Sequence, residues 1–323
     1  MSDSIELPNN AENFYGKAVA YIQRQRYPEA IDALEKSLSI TFTITAFDEL
    51  VKLYLNLKQY SDLKQLWDRY LPDKEDRIQD ETLRFLYGIS VPYLFPLDHA
   101  IIELYQLRDY TIKQQQTTEH FDQLLNEWQK TKAIRDAMSQ TESPNDLAAI
   151  YQTLYQDGPL ECLVQLKKIY ELPIEETEQL LLYLVKQPAL ENFVKNDILH
   201  YLLKIDYHSP LELNWFGQSQ VINLASLLAY NQQIFYKQTL DAINDYSQQE
   251  NPHLRLDIIH HFNLHAMVYY PYIEDIFASP NEWLTLFLQH NQLASNFSNP
   301  PSEKAKIYFQ KALNELEKIL TLS

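Results

Sequence analysis

A two-helix pattern recurs in the first seventy residues at a fixed interval, and this limits the fold more than any other feature of the chain. Ala11 to Gln25 places Phe14, Ala18, Tyr21 and Ile22 on one stripe at helical spacing. Tyr27 to Ile40 follows, with Ala30, Ile31, Leu34 and Leu38 on its stripe. Pro28 falls in the first turn of that second helix, where a missing N–H costs nothing. Tyr60 comes 33 residues after Tyr27, and the pattern on both sides of it returns. Phe47, Leu50, Tyr54 and Leu57 mark one helix; Leu63, Leu66, Trp67 and Tyr70 mark the next. A helix pair of this size cannot bury its apolar face alone, so repeats of about 34 residues stack into a solenoid.

These residues resemble the tetratricopeptide repeat. Phe14 takes the place of that family's early aromatic, Ala18 the small position where two helices meet, and Tyr21 the later aromatic. Tyr27, Ala30 and Leu34 match the second helix, while Ser37 replaces the usual alanine and no proline closes the repeat. The second repeat keeps Phe47, Leu50, Tyr54 and Tyr60, with Leu63 and Trp67 where a small residue and an aromatic are usual. A stretched third copy uses Gly88, Ala100, Leu104 and Leu107, interrupted by Pro92 and Pro96.

Further along, helical periodicity continues without evident repetition. Helices are expected at Thr117–Met138, Asp146–Tyr155, Pro159–Tyr170, Ile174–Lys186 and Ala189–Lys204, with Ser143-Pro144 as an N-cap and first helical position. The alternation in Leu211-Glu-Leu-Asn-Trp-Phe-Gly-Gln-Ser-Gln-Val-Ile predicts a small β-hairpin turning at Gly217, held against helices. Helices resume at Asn231–Gln249, His253–Val268, Tyr272–Ala278 and Glu282–His290. Asn291 to Pro301 reads as a linker, and Ser302 to Leu320 as an amphipathic closing helix over an exposed end of the stack. The segment Phe193-Val-Lys-Asn-Asp-Ile-Leu, the hairpin, Tyr269-Tyr-Pro-Tyr and Trp283 together resemble a class of bacterial tetratricopeptide-like proteins to which no activity is attached. The expected fold is all-α: a tetratricopeptide-like α-α superhelix with a hairpin at about 211–223. Its expected parts are repeats over 1–110, an irregular helical region over 111–291, and a linker with a last helix over 292–323.

Composition agrees with helices. The chain has 323 residues and only four glycines, where average usage gives about twenty. Tight turns and many-stranded sheets use glycine for positive φ, so its scarcity favours helices joined by short turns. An AT-rich coding bias toward Asn, Tyr, Ile and Lys accounts for part of it. Lys and Arg number 27 against 44 Asp and Glu, a formal charge of −17 without any basic run. Nucleic acid and anionic membranes attract the opposite pattern, so neither is an expected partner. No apolar stretch reaches the roughly 20 residues of a membrane span. The start, Met1-Ser-Asp-Ser-Ile-Glu, does not resemble a secretory signal, and a cytoplasmic location is expected.

Chemistry has few places to reside. Cys162, the single cysteine, has apolar neighbours and reads as core. Asp257, His261 and His265 share one helical face at i, i+4 and i+8, with His260 adjacent. Phe262 stands where a zincin needs its glutamate, and no further ligand cluster matches, so a partly buried or surface histidine face is expected and no metal. The glycines are too scattered for a phosphate loop. Asp73-Lys-Glu-Asp and Glu175-Glu-Thr-Glu start helices, where acidic side chains complement the dipole. No cofactor and no enzymatic activity are expected.

Binding remains. The resemblance implies a concave groove lined by the first helix of each repeat, with Glu12, Tyr15, Val19, Ile22 and Gln23 on one helix. Asp48, Lys52, Leu55 and Asn56 follow on the next. Tyr15 and Val19 hold positions where carboxylate-clamp versions carry Lys and Asn, which argues against a chaperone-tail clamp. The expected function is a non-catalytic adaptor for a protein or peptide, bound through Tyr15, Val19, Ile22, Asp48, Lys52 and Asn56. One alternative is a peptide-responsive cytoplasmic regulator, for which the repeats begin too early to leave room for an effector module. The other is a metal-dependent enzyme centred on His261. The sequence gives no expectation for oligomeric state.

Overall fold

Helix ends explain how this chain turns so often with so little glycine. In the computed structural model, residues 10–140, 144–249, 252–293 and 300–320 are described. Among the described residues 76% are helical, in 17 α-helices and a few short 3-10 turns, with one two-stranded antiparallel sheet. Gln25, Lys58, Gln115, Asp206 and Gln292 each follow a helix at φ between 55° and 57°, the left-handed region that glycine usually fills. After each, the next N–H reaches back five residues: Arg26 to Tyr21 C=O at 2.9 Å, Gln59 to Tyr54 C=O at 2.8 Å, Gln116 to Thr111 C=O at 3.2 Å. Positive φ is therefore common here, carried by polar side chains instead of glycine. The inference from low glycine to helix holds, but not through a shortage of left-handed turns.

The chain forms two compact units, residues 1–132 and 133–323. The first holds α1 (Ala11–Gln23), α2 (Tyr27–Ile40), α3 (Ile44–Asn56), α4 (Tyr60–Tyr70), α5 (Lys74–Gln79), α6 (Glu81–Leu94), α7 (Leu97–Lys113) and most of α8 (Glu119–Ser139). Asn10, Thr43 and Asp80 cap α1, α3 and α6 through side-chain oxygens. Helices α1 and α2 meet over Ala18, Ala30 and Ala33, small residues that let the backbones approach. Ser37 is buried and donates from Oγ to the carbonyl of Ala11 at 2.7 Å, tying α2 to the start of α1. Phe47, Leu50, Tyr54, Leu63 and Trp67 fill the interior around α3 and α4, and Phe47 meets Trp67 edge-on at 4.8 Å.

The unit runs past residue 110 because α8 packs on α6. The ring of fully buried Phe121 lies against Gly88, and Trp128 meets Tyr93 edge-on at 5.7 Å. Pro92 does not interrupt the third helix pair. It sits in the last turn of α6, where it forfeits one helical bond, to the Gly88 carbonyl, and Pro96 is the N-cap of α7. Two buried arginines complete the corner between α4 and α6, with Arg77 Nε donating to Leu71 C=O at 2.6 Å and Arg84 Nη1 to Ile78 C=O at 2.5 Å.

The second unit holds α9 (Pro144–Tyr155), α10 (Pro159–Ile169), α11 (Ile174–Leu184), α12 (Asn192–Lys204), β1 (Pro210–Trp215) and β2 (Gln218–Asn223). Then come α13 (Ile234–Gln249), α14 (Arg255–Tyr269), α15 (Ile273–Ile276), α16 (Pro280–His290) and α17 (Glu303–Leu320). Its core joins Cys162, Leu166, Leu181, Leu199, Phe262, Trp283 and Phe309. Helix α17 packs on α10, α14, α15 and α16 and buries Ala305, Phe309, Ala312 and Leu316. It is a core element of this unit instead of a cover over the end of a stack. The Ser143 N-cap, the amino-terminal hexapeptide and residues 294–299 of the expected linker lie outside the described residues. Among the described residues no helix is long and apolar enough to cross a membrane.

Two expected outcomes follow. A Cβ on Gly88 would lie 2.6 Å from Phe121 Cε1, and the ring is buried on all sides. Gly88→Ala should therefore destabilise by about 1–3 kcal/mol through overpacking, even though alanine favours a helix by about 1 kcal/mol. Lys58→Gly should do the reverse and stabilise by about 1 kcal/mol, by removing left-handed strain at a cap. Denaturant midpoints of the two variants check both signs.

Candidate functional site

The residues expected to line a groove lie on α1 and α3. Tyr15, Val19 and Ile22 are half-buried on α1; Asp48 is half-buried, and Lys52 and Asn56 are exposed on α3. One helical turn separates Asp48 from Lys52, and the ammonium contacts the carboxylate at 2.7 Å with half of the Lys52 side chain still exposed. That hydrogen bond holds the Lys52 ammonium above its usual pKa, and Tyr15 lies near enough to add to the effect. The two helices thus place the Tyr15 ring and the Asp48–Lys52 pair in electrostatic reach of each other. An ion pair this exposed contributes little stability, so its interest lies in what it can bind.

On α6, Phe85 precedes Gly88 by three residues, as Tyr15 precedes Ala18. Its side chain is 37% exposed and meets His120 edge-on at 5.2 Å.

The histidine face does not stay together. His265 is buried, and its Nδ1 accepts from Trp283 Nε1 at 3.3 Å and lies 3.2 Å from Tyr269 Oη. Burial pulls its pKa down to about 3, so it is a neutral core side chain. Asp257, His260 and His261 remain exposed, with the His261 ring against Phe287. Among the described residues no group of three His, Cys, Asp or Glu side chains stands in ligand geometry. Cys162 is buried, and burial pushes its thiol up to about 12, which leaves it protonated and inert.

A buried polar cluster, invisible in the sequence, gathers at the start of α12. Glu191, Asn192, Lys195 and Asn196 are each no more than 3% exposed, an unusual run for a helix amino terminus. Tyr155 Oη of α9 donates to both Glu191 oxygens at 2.7 and 2.8 Å, and Lys318 of α17 pairs with the same carboxylate at 3.2 Å. Glu315 of α17 accepts from Asn192 N–H at 3.0 Å and from Asn192 Nδ2 at 2.7 Å. A carboxylate 123 positions away thus caps the first turn of α12, where unpaired N–H groups and the helix dipole favour negative charge. Lys195 Nζ donates to the carbonyl of Asn214 at 2.7 Å, and Asn214 Oδ1 accepts from Gly217 N–H at 3.1 Å, so the hairpin is fastened to the same helix. Burial pulls the Lys195 ammonium down to about 8, against the pull of Glu315 and Glu191. Burial likewise pushes the Glu315 carboxyl up to about 7, helped by neighbouring Glu191 and opposed by the Asn192 bonds. Nothing here is open to a substrate: the cluster joins α9, α12, the hairpin and α17.

Comparison with family models, with curated proteins and with solved structures gives no match for this chain.

Glu315 gives the second unit a pH signature. A carboxyl raised in the fold binds protons more tightly there than in the unfolded chain, so its favourable contribution is full at low pH. It is lost as pH rises from the ordinary carboxylate range through about 7. Unfolding free energies at pH 5 and pH 8 should show a decline that Glu315→Gln reduces by about 1–3 kcal/mol.

Proposed function

We propose that this chain is a non-catalytic adaptor that holds a segment of another protein against α1 and α3. The observation that carries this reading is the α1–α3 surface itself. Tyr15, Val19 and Ile22 are left half-buried beside an exposed Lys52 and Asn56, so apolar and hydrogen-bonding side chains lie together on one surface. An aromatic and two aliphatic side chains form the kind of anchor that dominates interface energetics, and the neighbouring polar stripe fixes register.

The first unit is a tetratricopeptide-like stack in this proposal. Support comes from the turns after α1 and α3, which fall 33 residues apart at Gln25 and Lys58 with the same φ of 56° and the same backbone bonds. Packing of α2 on α3 and of α3 on α6 is the neighbour-to-neighbour pattern such a stack requires. The partner is a protein or peptide. Nucleic acid is disfavoured by the charge of −17, and the place of action is the cytoplasm.

The partner would be captured from lysate on the intact chain and titrated by calorimetry. Tyr15→Ala should weaken binding by about 1–3 kcal/mol. Lys52→Glu should weaken an acidic ligand and leave a neutral one nearly unchanged. Unaltered affinity for both variants would overturn the groove.

A further inference from the structure

The hairpin of the second unit leaves one strand edge unpaired beside a cavity walled by three aromatic and four polar side chains. Its two-residue turn has both residues at positive φ, 46° at Phe216 and 85° at Gly217, and Trp215 pairs with Gln218 to close it. In such a hairpin the closing pair is hydrogen-bonded and the pairs alternate outward from it. The N–H and C=O of Ser219 and Val221 therefore point away from β1. Among the described residues, no main chain of another element meets them. Val221 is 75% exposed, more than any other large apolar side chain among the described residues. The opposite edge is occupied, since Asn214 N–H of β1 donates to Val185 C=O at 3.0 Å. Exposed edges of this kind pair readily with another extended chain unless something blocks them, and β2 carries neither lysine nor proline.

Trp215, Gln218 and Gln220 share one face of the hairpin by register, and all three border a cavity of about 330 Å³. Tyr272, Asp275, Lys304 and Tyr308 complete its walls. Trp215 stacks on Tyr308 at 5.3 Å and meets Tyr272 edge-on at 5.0 Å. Its indole N–H is buried without an acceptor, which is rare for a buried tryptophan. Phe216 holds a left-handed backbone that a bulky residue seldom adopts, and strain of that sort concentrates at ligand sites.

We propose that β2 accepts an extended segment of another protein as a third strand, with one apolar or aromatic side chain of that segment seated in the Trp215 cavity. A row of outward N–H and C=O groups is complemented by extended backbone and by little else. Successive side chains of an added strand alternate between faces, so every second one projects on the side of Trp215, Gln218 and Gln220. The Trp215, Tyr272 and Tyr308 rings favour an incoming ring at stacked or edge-on geometry. A second copy of this chain fits less well: pairing β2 with itself would offer glutamines to the cavity. The site lies wholly within the second unit and is independent of the α1–α3 groove.

The probe is a phage-displayed library of random nonapeptides selected on the full chain. Selected peptides should alternate β-branched residues around one aromatic position. Binding of a synthetic winner should weaken at least tenfold on Val221→Pro, which removes an outward N–H without a ladder bond, and change less than twofold on Val221→Thr. Replacing the peptide's aromatic residue with serine should also cost at least tenfold. In the complex, hydrogen exchange at the Ser219 and Val221 amides should slow at least tenfold. If Val221→Pro does not fold, the exchange measurement on the unaltered chain and Ser219→Pro decide. The proposal is overturned if no peptide is selected, if winners bind Val221→Pro unchanged, or if both amides are already protected in the free chain. Dimerisation that Val221→Pro abolishes would assign the edge to a second copy and overturn it equally. Tyr15→Ala should leave this binding unchanged, which separates its failure from failure of the groove.

Discussion

Every helix leaves unpaired N–H groups at one end and unpaired carbonyls at the other, and a chain whose described residues are 76% helical must settle these repeatedly. The solutions here fall into two kinds. Local ones use neighbouring residues: side-chain caps at Asn10, Thr43 and Asp80, and left-handed turns at Gln25, Lys58, Gln115, Asp206 and Gln292. Distant ones use side chains from other elements. Ser37 reaches the Ala11 carbonyl, Arg77 and Arg84 reach carbonyls of the α4–α5 region, and Glu315 reaches the N–H of Asn192. The distant kind does more than satisfy valence. Each such bond fixes how two elements meet, because an unpaired buried group costs more than a satisfied one contributes.

The two units spend polar side chains differently. In the first, the buried polar side chains, among them Ser37, Arg77 and Arg84, mostly reach backbone carbonyls. In the second, Glu191, Asn192, Lys195 and Glu315 turn inward and join α9, α12, the hairpin and α17. Burying charges in this way adds little net stability over apolar packing, yet removing one member strands the others. The cluster holds the hairpin in place, and the tip it grips carries Phe216 in a strained conformation. Rigid support under an exposed strand edge is what a docking strand requires, since an isolated hairpin is marginal in water.

Much of the fold was legible because its signals are local. Apolar spacing located the helices to within a few residues, and the alternation around Gly217 located the hairpin. Ala18, Leu34, Phe47 and Trp67 were readable as interior from helical spacing, and all are buried. Reading failed where the deciding partner was distant. His261 and His265 share a helical face, but Trp283 and Phe309 enclose only the second. Lys195 sits in a helix that reads as ordinary, and nothing nearby announces that Asn214 will receive its ammonium. Pro92 looked like a break because the sequence does not say that the helix was about to end.

The sequence by itself determined roughly where helices start and stop and which faces of them are apolar. Those properties depend on residues three to five positions apart. Tertiary structure alone decided that α8 joins the first unit through Phe121 on Gly88, and that α17 is a core element whose Glu315 caps α12. It also decided that one edge of the hairpin is occupied while the other is open. Each of these rests on two groups brought within bonding distance from tens to more than a hundred positions apart. Local periodicity carries no record of such pairings, because they exist only once the chain has closed around them.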